Sequence, residues 1–595
     1  MRKYIIIALM AICSASCSDM LDQTNPNYIS VDDGCDSLSD TQSGLYAAYA
    51  AVRNSYVLNI RFEGFRGDLA YPGYGRPIPS SNATGVTWYT QTYTNSTSGI
   101  DDKWDGIYTA IWRANQVIEA LNELHDSIDV TSDDQTTWEI QMGHAKFIRG
   151  LMYFYLYSSF NGGSVVLRES SVEAPSDFAK ALSTPAEVRA FFLADLEEAY
   201  ERLPKRSEQS TGYENLASKG AAATTLGTSY LYEGDYEKAI EMFEAVIESG
   251  EYELETDMEK LFTTAGEHNS ESIFEITYST EYRTDLGTWD LASMTNALNT
   301  QTTSTTSAPL PAAWLVYEYS NETIDKLNPI NTEDRIANNN GISWRASQMV
   351  ALVKDDRTPY YITDNAGYNC AIGGSYSTPT PNNGFGKLKK YSNHDICSDS
   401  EDTPSVSGKN VTVSRLADVY LMYAESILQQ NDDIDGAIEY INKIRERWGL
   451  VLLGESNGDT SRTYDEINYD KDMLMEHIMF KERPLELSFE GHQIRWQDLI
   501  RWGLLEDDDN NIFRKRAQET YYAYDFQIVS LDGSATKKKI NSAITTNEAI
   551  ASASATSMHT IDYEFDTAAT QYTKKTNQYL PIPLSEITAN AALSE

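Results

Sequence analysis

The stretch of residues 217–252 constrains the fold most, because its apolar and small residues recur at the intervals of two packed helices. Gly227 permits a close helix crossing, and Gly234 is typical of the tight turn between the helices. Ala239 and Phe243 are four residues apart and therefore share one face of the second helix. The matching positions are Leu226, Gly227, Tyr230, Gly234, Tyr236, Ala239 and Phe243.

These intervals are those of a tetratricopeptide repeat, a helix pair that cannot bury its own apolar face and must stack on other helices. Residues 415–449 are predicted to form a second helix pair. Further amphipathic helices are predicted at 41–53, 103–124, 138–160 and 184–202. The fold class is therefore mainly α. Because the helices are spread along the whole chain, we expect one domain with long insertions from residue 17 to residue 595.

Long polar stretches, several of them rich in Gly, Pro, Ser, Thr and Tyr, separate the predicted helices. They lie at about 66–100, 280–311, 355–410 and 505–575. Loops of this length in a compact protein are usually functional or disordered. The sequence therefore predicts a helical scaffold that carries loop-rich insertions.

The N-terminus predicts export and a lipid anchor. Arg2 and Lys3 precede a short apolar run, and the small residues 14–16 lead to Cys17. A positive start, an apolar middle and a small-residue exit are typical of a secretory signal, and the run is about half of the ~20 residues that a spanning helix needs. Cys17 resembles the acylated cysteine of a bacterial lipobox, so residues 1–16 are predicted to be a lipoprotein signal peptide. The alternative is a secreted protein with a free cysteine.

The charge of the chain excludes some partners. The formal net charge is −41, which argues against nucleic acid, since its binding depends on Lys and Arg side chains that neutralise phosphates. It also disfavours strongly anionic polymers as ligands. Of the five cysteines, the sparse set behind the signal predicts no disulfide framework. A bridge between Cys370 and Cys397 stays open.

A series of local signatures, in order along the chain, resembles the RagB/SusD family of surface nutrient-binding lipoproteins. They are residues 17–22, 104–115, 145–156, 415–425, 441–445, 482–503 and 579–587. The run 482–503 is the most specific, with Glu482-Arg483 followed by residues 489–492, Phe-Glu-Gly-His. Pro484 departs from the pattern, because a helix-friendly residue is usual at that position.

The resemblance implies a mainly α, SusD-like protein whose tetratricopeptide-like pairs support a loop-rich binding face. Members of the family act as lids on a SusC-like TonB-dependent transporter and bind oligosaccharides or other nutrients without chemistry of their own. The acidic residues Asp19 and Asp22 behind the lipobox cysteine resemble an address for the outer face of the outer membrane. The resemblance thus implies a lipid-anchored, cell-surface protein with a glycan ligand.

No catalytic motif of the common hydrolase, metalloprotease, P-loop or Rossmann types occurs in the sequence. The charged residues of the 482–503 run are interpreted as ion pairs that hold the helices together, and His492 as a structural hydrogen-bonding residue. No cofactor or metal is predicted. The acidic run 506–509 leaves calcium open, but it lacks the spacing of an EF-hand.

Aromatic residues in the long loops are the better candidates for binding, because a flat ring can bury the apolar face of a sugar while polar neighbours select its hydroxyl groups. Trp104 and Trp112 lie on the apolar stripe of a helix and are predicted to be in the core. Trp88 ranks first, since the family often supplies a ligand-stacking aromatic residue from that region. The predicted ligand-binding residues are Trp88, Tyr89, Trp289, Arg76, Asn82, Tyr93, Asn95 and Trp314.

The sequence therefore predicts a surface glycan-binding lipoprotein that captures oligosaccharide or polysaccharide and delivers it to a SusC-like transporter, and that is not an enzyme. Two alternatives from other classes are a surface glycoside hydrolase and a structural or adhesin-type repeat lipoprotein. The missing catalytic motifs count against the first. The long Tyr-rich and Trp-rich loops count against the second.

Overall fold

The computed structural model describes residues 37–72, 84–171, 178–279, 296–298, 308–362, 364–365, 384–397, 407–551 and 565–593. The α-helices are α1 (Leu38–Val52), α2 (Ser55–Leu58), α3 (Ile60–Arg66), α4 (Thr84–Tyr89), α5 (Ile100–His125), α6 (Asp133–Ser159), α7 (Pro185–Arg202), α8 (Lys219–Tyr232), α9 (Tyr236–Ile247), α10 (Ala313–Ser320), α11 (Glu333–Asn338), α12 (Trp344–Met349), α13 (Leu416–Asn431), α14 (Ile434–Arg447), α15 (Lys471–His477), α16 (Arg483–Leu487), α17 (Ile494–Arg501), α18 (Ile512–Ala517), α19 (Phe565–Gln571), α20 (Lys574–Asn577) and α21 (Leu584–Ala589). The strands are β1 (Ala70–Pro72), β2 (Ser272–Ile276), β3 (Pro309–Pro311), β4 (Val350–Leu352), β5 (Gly386–Leu388), β6 (Val411–Arg415), β7 (Tyr522–Val529) and β8 (Thr536–Thr545). The fold is mainly α, as the sequence predicts.

The helix pair predicted from residues 217–252 is present as α8 and α9. A Cβ atom at Gly227 would lie 2.5 Å from the ring of Phe243, so only glycine lets these two helices approach so closely. Gly234 has a φ of +74° in the turn between them, a conformation that glycine adopts without steric cost. The Asp235 side chain then caps α9 by accepting a hydrogen bond from the Lys238 amide.

The helices form one stack. α9 packs on α13 and α13 packs on α14, which confirms the second predicted pair and places it beside the first. In the other direction α8 packs on α7, and α7, α6, α5 and α1 follow one another. The main apolar core runs through this stack, because each helix buries its apolar face against the next. None of the helices in the described ranges is both long enough and apolar enough to cross a membrane.

The strands form four two-stranded antiparallel sheets, β1 with β3, β2 with β6, β4 with β5 and β7 with β8. β7 and β8 are a hairpin inside the stretch 505–575, where the sequence analysis expects a loop. The expectation is wrong there: Ala523 and Ile528 of β7 and residues 541–544 of β8 are buried. Ile528 and Ala543 pack with Ala351, Val353 and two tyrosines into a small second core. Ala523 and Ile544 join the main core, and both sets of contacts hold the hairpin on the body.

Pro484 is accommodated by a change of helix type. α15 ends at His477, residues Ile478–Glu482 form a π-helical turn, and α16 begins at Arg483. A proline inside a regular α-helix lacks the amide proton for one hydrogen bond and clashes with the carbonyl group four residues earlier. The wider π turn before Pro484 avoids that clash, so the departure from the family pattern leaves the helix in place.

Candidate functional site

The aromatic residue ranked first by the sequence, Trp88, is fully buried. Its ring stacks between Phe62, at a centroid distance of 5.4 Å, and Tyr93, at 5.1 Å. Its Nε1 donates a hydrogen bond to the Ser98 carbonyl oxygen at 3.2 Å. Both faces of the indole and its polar atom are therefore occupied. The expectation that Trp88 stacks on a ligand is corrected: in this structure its ring packs α4 onto α3.

Tyr89 and Tyr93 are also buried. Tyr89 packs against Phe565 at a centroid distance of 5.2 Å, and the Tyr93 hydroxyl donates to the Asn577 carbonyl oxygen at 2.6 Å. Asn95 is half-buried and its carbonyl oxygen accepts a hydrogen bond from the Leu584 amide at 3.0 Å. These three residues join the segment before α5 to the C-terminal part of the chain. Their contacts within the described residues are therefore structural and leave no aromatic face open to a ligand.

Trp314 lies near the start of α10 and is 2% exposed. Its Nε1 donates to the Asp68 carbonyl oxygen, and the Arg516 guanidinium lies 3.6 Å from the ring centroid. It is therefore a core residue, which corrects its prediction as a ligand-binding residue. The remaining predicted binding residues, Arg76, Asn82 and Trp289, lie outside the described residues, and so does Cys370 of the open disulfide pairing.

The charged residues of the 482–503 run form buried ion pairs, which confirms their structural interpretation. Arg415 contacts Glu490 at 2.7 Å and Glu486 at 2.8 Å. Burial alone raises the pKa of Glu486, but Arg415 and its neighbours Arg447 and Arg345 outweigh this effect and lower it to about 2. A carboxylate held charged between several arginines serves helix packing and is not available as a general acid.

His492 is equally enclosed. Its ring stacks on Tyr155 with a centroid distance of 3.8 Å, and its Nε2 lies 3.3 Å from the Ser159 hydroxyl oxygen. Burial, assisted by the nearby cations of Lys103 and Arg66, lowers its pKa well below the usual range for histidine. His492 is therefore a neutral packing residue, in agreement with the prediction.

An open cleft of about 560 Å³ lies between α5, the residues Arg168, Ser170 and Phe178, and the start of α21. Three aromatic residues of α5, Trp104, Tyr108 and Trp112, line the cleft together with Phe178. Trp104, Tyr108 and Trp112 are spaced by four residues, so they lie on one face of the helix. The polar lining includes Asp105, Asn115, Arg168, Ser170 and Glu586.

The walls of the cleft are held in place by hydrogen bonds. The Tyr108 hydroxyl donates to the Val166 carbonyl oxygen at 2.7 Å, and Trp104 Nε1 donates to a Glu586 carboxylate oxygen at 3.4 Å. Arg168 Nη2 donates to the Phe178 carbonyl oxygen at 3.0 Å. A cleft that is lined by aromatic rings and polar groups, with hydrogen bonds that fix its walls, is suited to an amphipathic ligand of small or moderate size.

The prediction that Trp112 is a core residue is wrong, because the structure leaves it partly exposed in this cleft. The spacing 104, 108, 112 was a visible signal, but a stripe of aromatic residues at helical spacing does not tell a core face from an exposed cleft. Among the described residues no group of three or more His, Cys, Asp or Glu side chains is arranged to hold a metal ion.

Comparison with known proteins shows two family matches. The sequence model of the SusD family matches residues 265–595, and a model described as "Starch-binding associating with outer membrane" matches residues 75–231. Among curated proteins, SusD-like protein P2 of Formosa agariphila is 24% identical over 535 residues, which is 84% of this chain and 91% of that protein.

Solved structures share the fold. A SusD superfamily protein from Bacteroides vulgatus aligns with a TM-score of 0.65 and 21% identity, over 94% of this chain and 98% of that one. A structure described as a laminarin-binding SusD-like protein aligns with a TM-score of 0.60 and 20% identity, over 93% of this chain and 97% of that one. At these identities the likeness establishes the architecture, and the ligand is a separate question.

Proposed function

The chain belongs to the SusD family, and from that premise we propose that it is a surface glycan-binding lipoprotein that captures oligosaccharide or polysaccharide and passes it to a SusC-like TonB-dependent transporter. The observation that carries this proposal is the family match together with a fold shared over nearly the whole chain with a laminarin-binding relative. The lipobox-like segment ending at Cys17 supports attachment to the membrane by lipid.

The buried charges support a binding protein over a glycoside hydrolase. Hydrolysis of a glycosidic bond requires two carboxyl groups that reach the substrate, one of them with a raised pKa. The carboxylates of the family signature, among them Glu482, Glu486 and Glu490, are buried, and their pKa values are lowered by arginine or lysine neighbours that outweigh the effect of burial. These carboxylates are therefore ionised at neutral pH, which suits ion pairing and prevents them from donating a proton.

Affinity gel electrophoresis tests the proposal. The protein without residues 1–17 is run through gels that contain single neutral or acidic polysaccharides, with a reducing-end assay in parallel. Retardation by at least one glycan without new reducing ends is the expected result. New reducing ends would support the hydrolase instead, and no retardation on a broad panel would contradict glycan binding.

The loop residues Trp289, Arg76 and Asn82 remain the proposed contacts to the glycan outside the described residues. Trp289→Ala is the sharpest of these changes, because it removes a large ring that can stack on a sugar. The proposal expects weaker retardation of Trp289→Ala at unchanged melting temperature.

The proposed transporter partner is tested by detergent extraction of the native membrane, in which an affinity tag on this chain should recover a TonB-dependent barrel.

A further inference from the structure

One tryptophan differs from the others in the hydrogen bonding of its indole N–H group. Of the nine tryptophans within the described residues, eight donate their Nε1 hydrogen to a protein acceptor. The eight are Trp88, Trp104, Trp138, Trp314, Trp344, Trp448, Trp496 and Trp502. Trp112 has no such partner in the described part of the chain and is partly exposed in the cleft on α5. Its donor is therefore available to a ligand in the cleft.

Two other side chains in the cleft, those of Asp105 and Phe178, are also available to a ligand. The carboxylate of Asp105 accepts no hydrogen bond from any described residue, although it lines the cleft one helical turn from Tyr108. The Phe178 side chain is 52% exposed. Its position is fixed by Arg168, whose guanidinium lies 5.7 Å from the ring centroid and bonds the Phe178 carbonyl oxygen. The cleft thus offers the aromatic ring of Phe178, the hydrogen-bond donor of Trp112 and the hydrogen-bond acceptor of Asp105.

This set of groups matches the chemistry of a sugar ring. The C–H face of a pyranose packs on an aromatic ring, and each hydroxyl group can both donate to a carboxylate such as Asp105 and accept from an indole N–H such as Trp112. The volume of about 560 Å³ lies within the range of about 300–1,000 Å³ that is common for small-ligand sites.

The charge around the cleft selects among sugars. Asp105 lies near Asp101, Asp102 and Glu586, and partial burial together with these three carboxylates raises its pKa. A uronic acid or a sulfated sugar would add negative charge to this group, which is unfavourable at short range. Arg168 is engaged with the Phe178 segment, so the local balance favours an uncharged ligand.

We propose that the cleft lined by Trp112, Phe178 and Asp105 is a carbohydrate-binding site for an uncharged glycan segment, separate from the long loops in which the sequence places the ligand. This site rests on the proposed function, because it assumes that the chain binds glycans. It adds a contact surface on the helical scaffold itself, so a long polysaccharide has a second point of attachment.

The test uses the protein without residues 1–17 and the neutral glycan that retards it most strongly. Trp112→Ala and Phe178→Ala should each weaken binding at least fivefold, and Trp112→Phe, which keeps a ring and loses the N–H donor, should lie between Trp112→Ala and the unchanged protein. Asp105→Asn should weaken binding of the neutral glycan less and improve binding of a carboxylated counterpart. Tyr46→Ala, which removes an aromatic side chain that is 42% exposed and does not line the cleft, is the matched control and should bind normally.

Hydroxyl-radical footprinting locates the ligand independently of any substitution. Addition of the neutral oligosaccharide should reduce oxidation of Trp112 and Phe178, while a tryptic peptide mixture should not. Unchanged affinity of all three aromatic variants with no protection of these residues would overturn the cleft as a glycan site and leave the proposed function standing. Protection by peptides alone would assign the cleft to a peptide ligand. Failure of the unchanged protein to bind any glycan would remove the proposed function and this site together.

Discussion

Asp68 and Arg495 are 427 residues apart in the sequence, and in the fold Arg495 Nε lies 2.8 Å from an Asp68 carboxylate oxygen. Arg516 approaches the other oxygen of the same carboxylate at 2.9 Å, and the Asp68 carbonyl oxygen accepts from Trp314. One buried aspartate therefore joins the segment before β1 to α10, α17 and α18.

This buried ion-pair cluster makes the free energy of unfolding depend on pH. Burial alone raises the pKa of Asp68, but Arg495 and Arg516 outweigh it and lower the pKa to about 2, against about 3.9 for an unfolded aspartate. The stabilisation is therefore complete above about pH 4 and is lost as the pH falls towards about 2. We expect Asp68→Asn to reduce the free energy of unfolding by several kcal/mol at pH 7, with a smaller difference at pH 3. Urea unfolding at both pH values measures it, and an equal difference at both would contradict the assignment.

A buried carboxylate and an exposed one should differ sharply in their effect on stability. Glu486 accepts from Arg447 at 2.9 Å and from Trp448 at 2.7 Å, so Glu486→Gln leaves buried cations short of a counter-charge and should cost about 3–5 kcal/mol. Glu439 pairs with Lys443 on an exposed helix face, and Glu439→Gln should change stability by less than about 0.5 kcal/mol. Chemical denaturation of both variants compares them, and similar losses would contradict the structural role of the buried network.

The close crossing of α8 and α9 predicts a cost for adding one methyl group. Gly227→Ala should destabilise the protein by about 1–3 kcal/mol, even though alanine favours a helix over glycine, because its Cβ would meet the Phe243 ring. Combining Gly227→Ala with Phe243→Leu should cost less than the sum of the two single changes. Thermal melts of the four proteins form the cycle, and additive losses would show that the two side chains do not collide.

Two tryptophans should separate packing from ligand contact. Trp88 is fully buried, so Trp88→Ala should lower the free energy of unfolding by about 3–5 kcal/mol. Trp112→Ala should cost less than that, because the ring is only partly buried. Melting temperatures measured without ligand give the comparison, and a stable Trp88→Ala variant would contradict the packing role.

The lipid anchor predicts a change of cell fraction. Cys17→Ala should abolish incorporation of labelled palmitate and release the chain from the outer-membrane fraction, because acyl chains supply the binding to the bilayer. Cys13→Ala is the matched control, since Cys13 lies inside the segment that is expected to be removed. Fractionation with immunoblotting measures both, and a Cys17→Ala protein that stays acylated in the membrane would contradict the prediction.

The positions of the main helices were predictable from the sequence, because their signals are local. The helix predicted at 184–202 is present as α7, whose first turn is capped by Thr184 and Glu187, and Gly227 and Gly234 mark the crossing and the turn of the first helix pair. The hairpin of β7 and β8 was not predictable, since its buried face depends on a second core supplied by residues near 351–361. Pairing between strands depends on such distant contacts more than on local preference.

The sequence by itself determined the fold class, the helix pairs, the family and the expected export signal, since periodicity, caps and motifs are properties of neighbouring residues. Only the tertiary structure decided which aromatic side chains remain exposed. Trp88 lies in a predicted loop and is buried by Phe62 and Tyr93, whereas Trp112 lies on a helix stripe and faces an open cleft near Glu586. Exposure depends on what distant segments cover, and no local pattern contains that information.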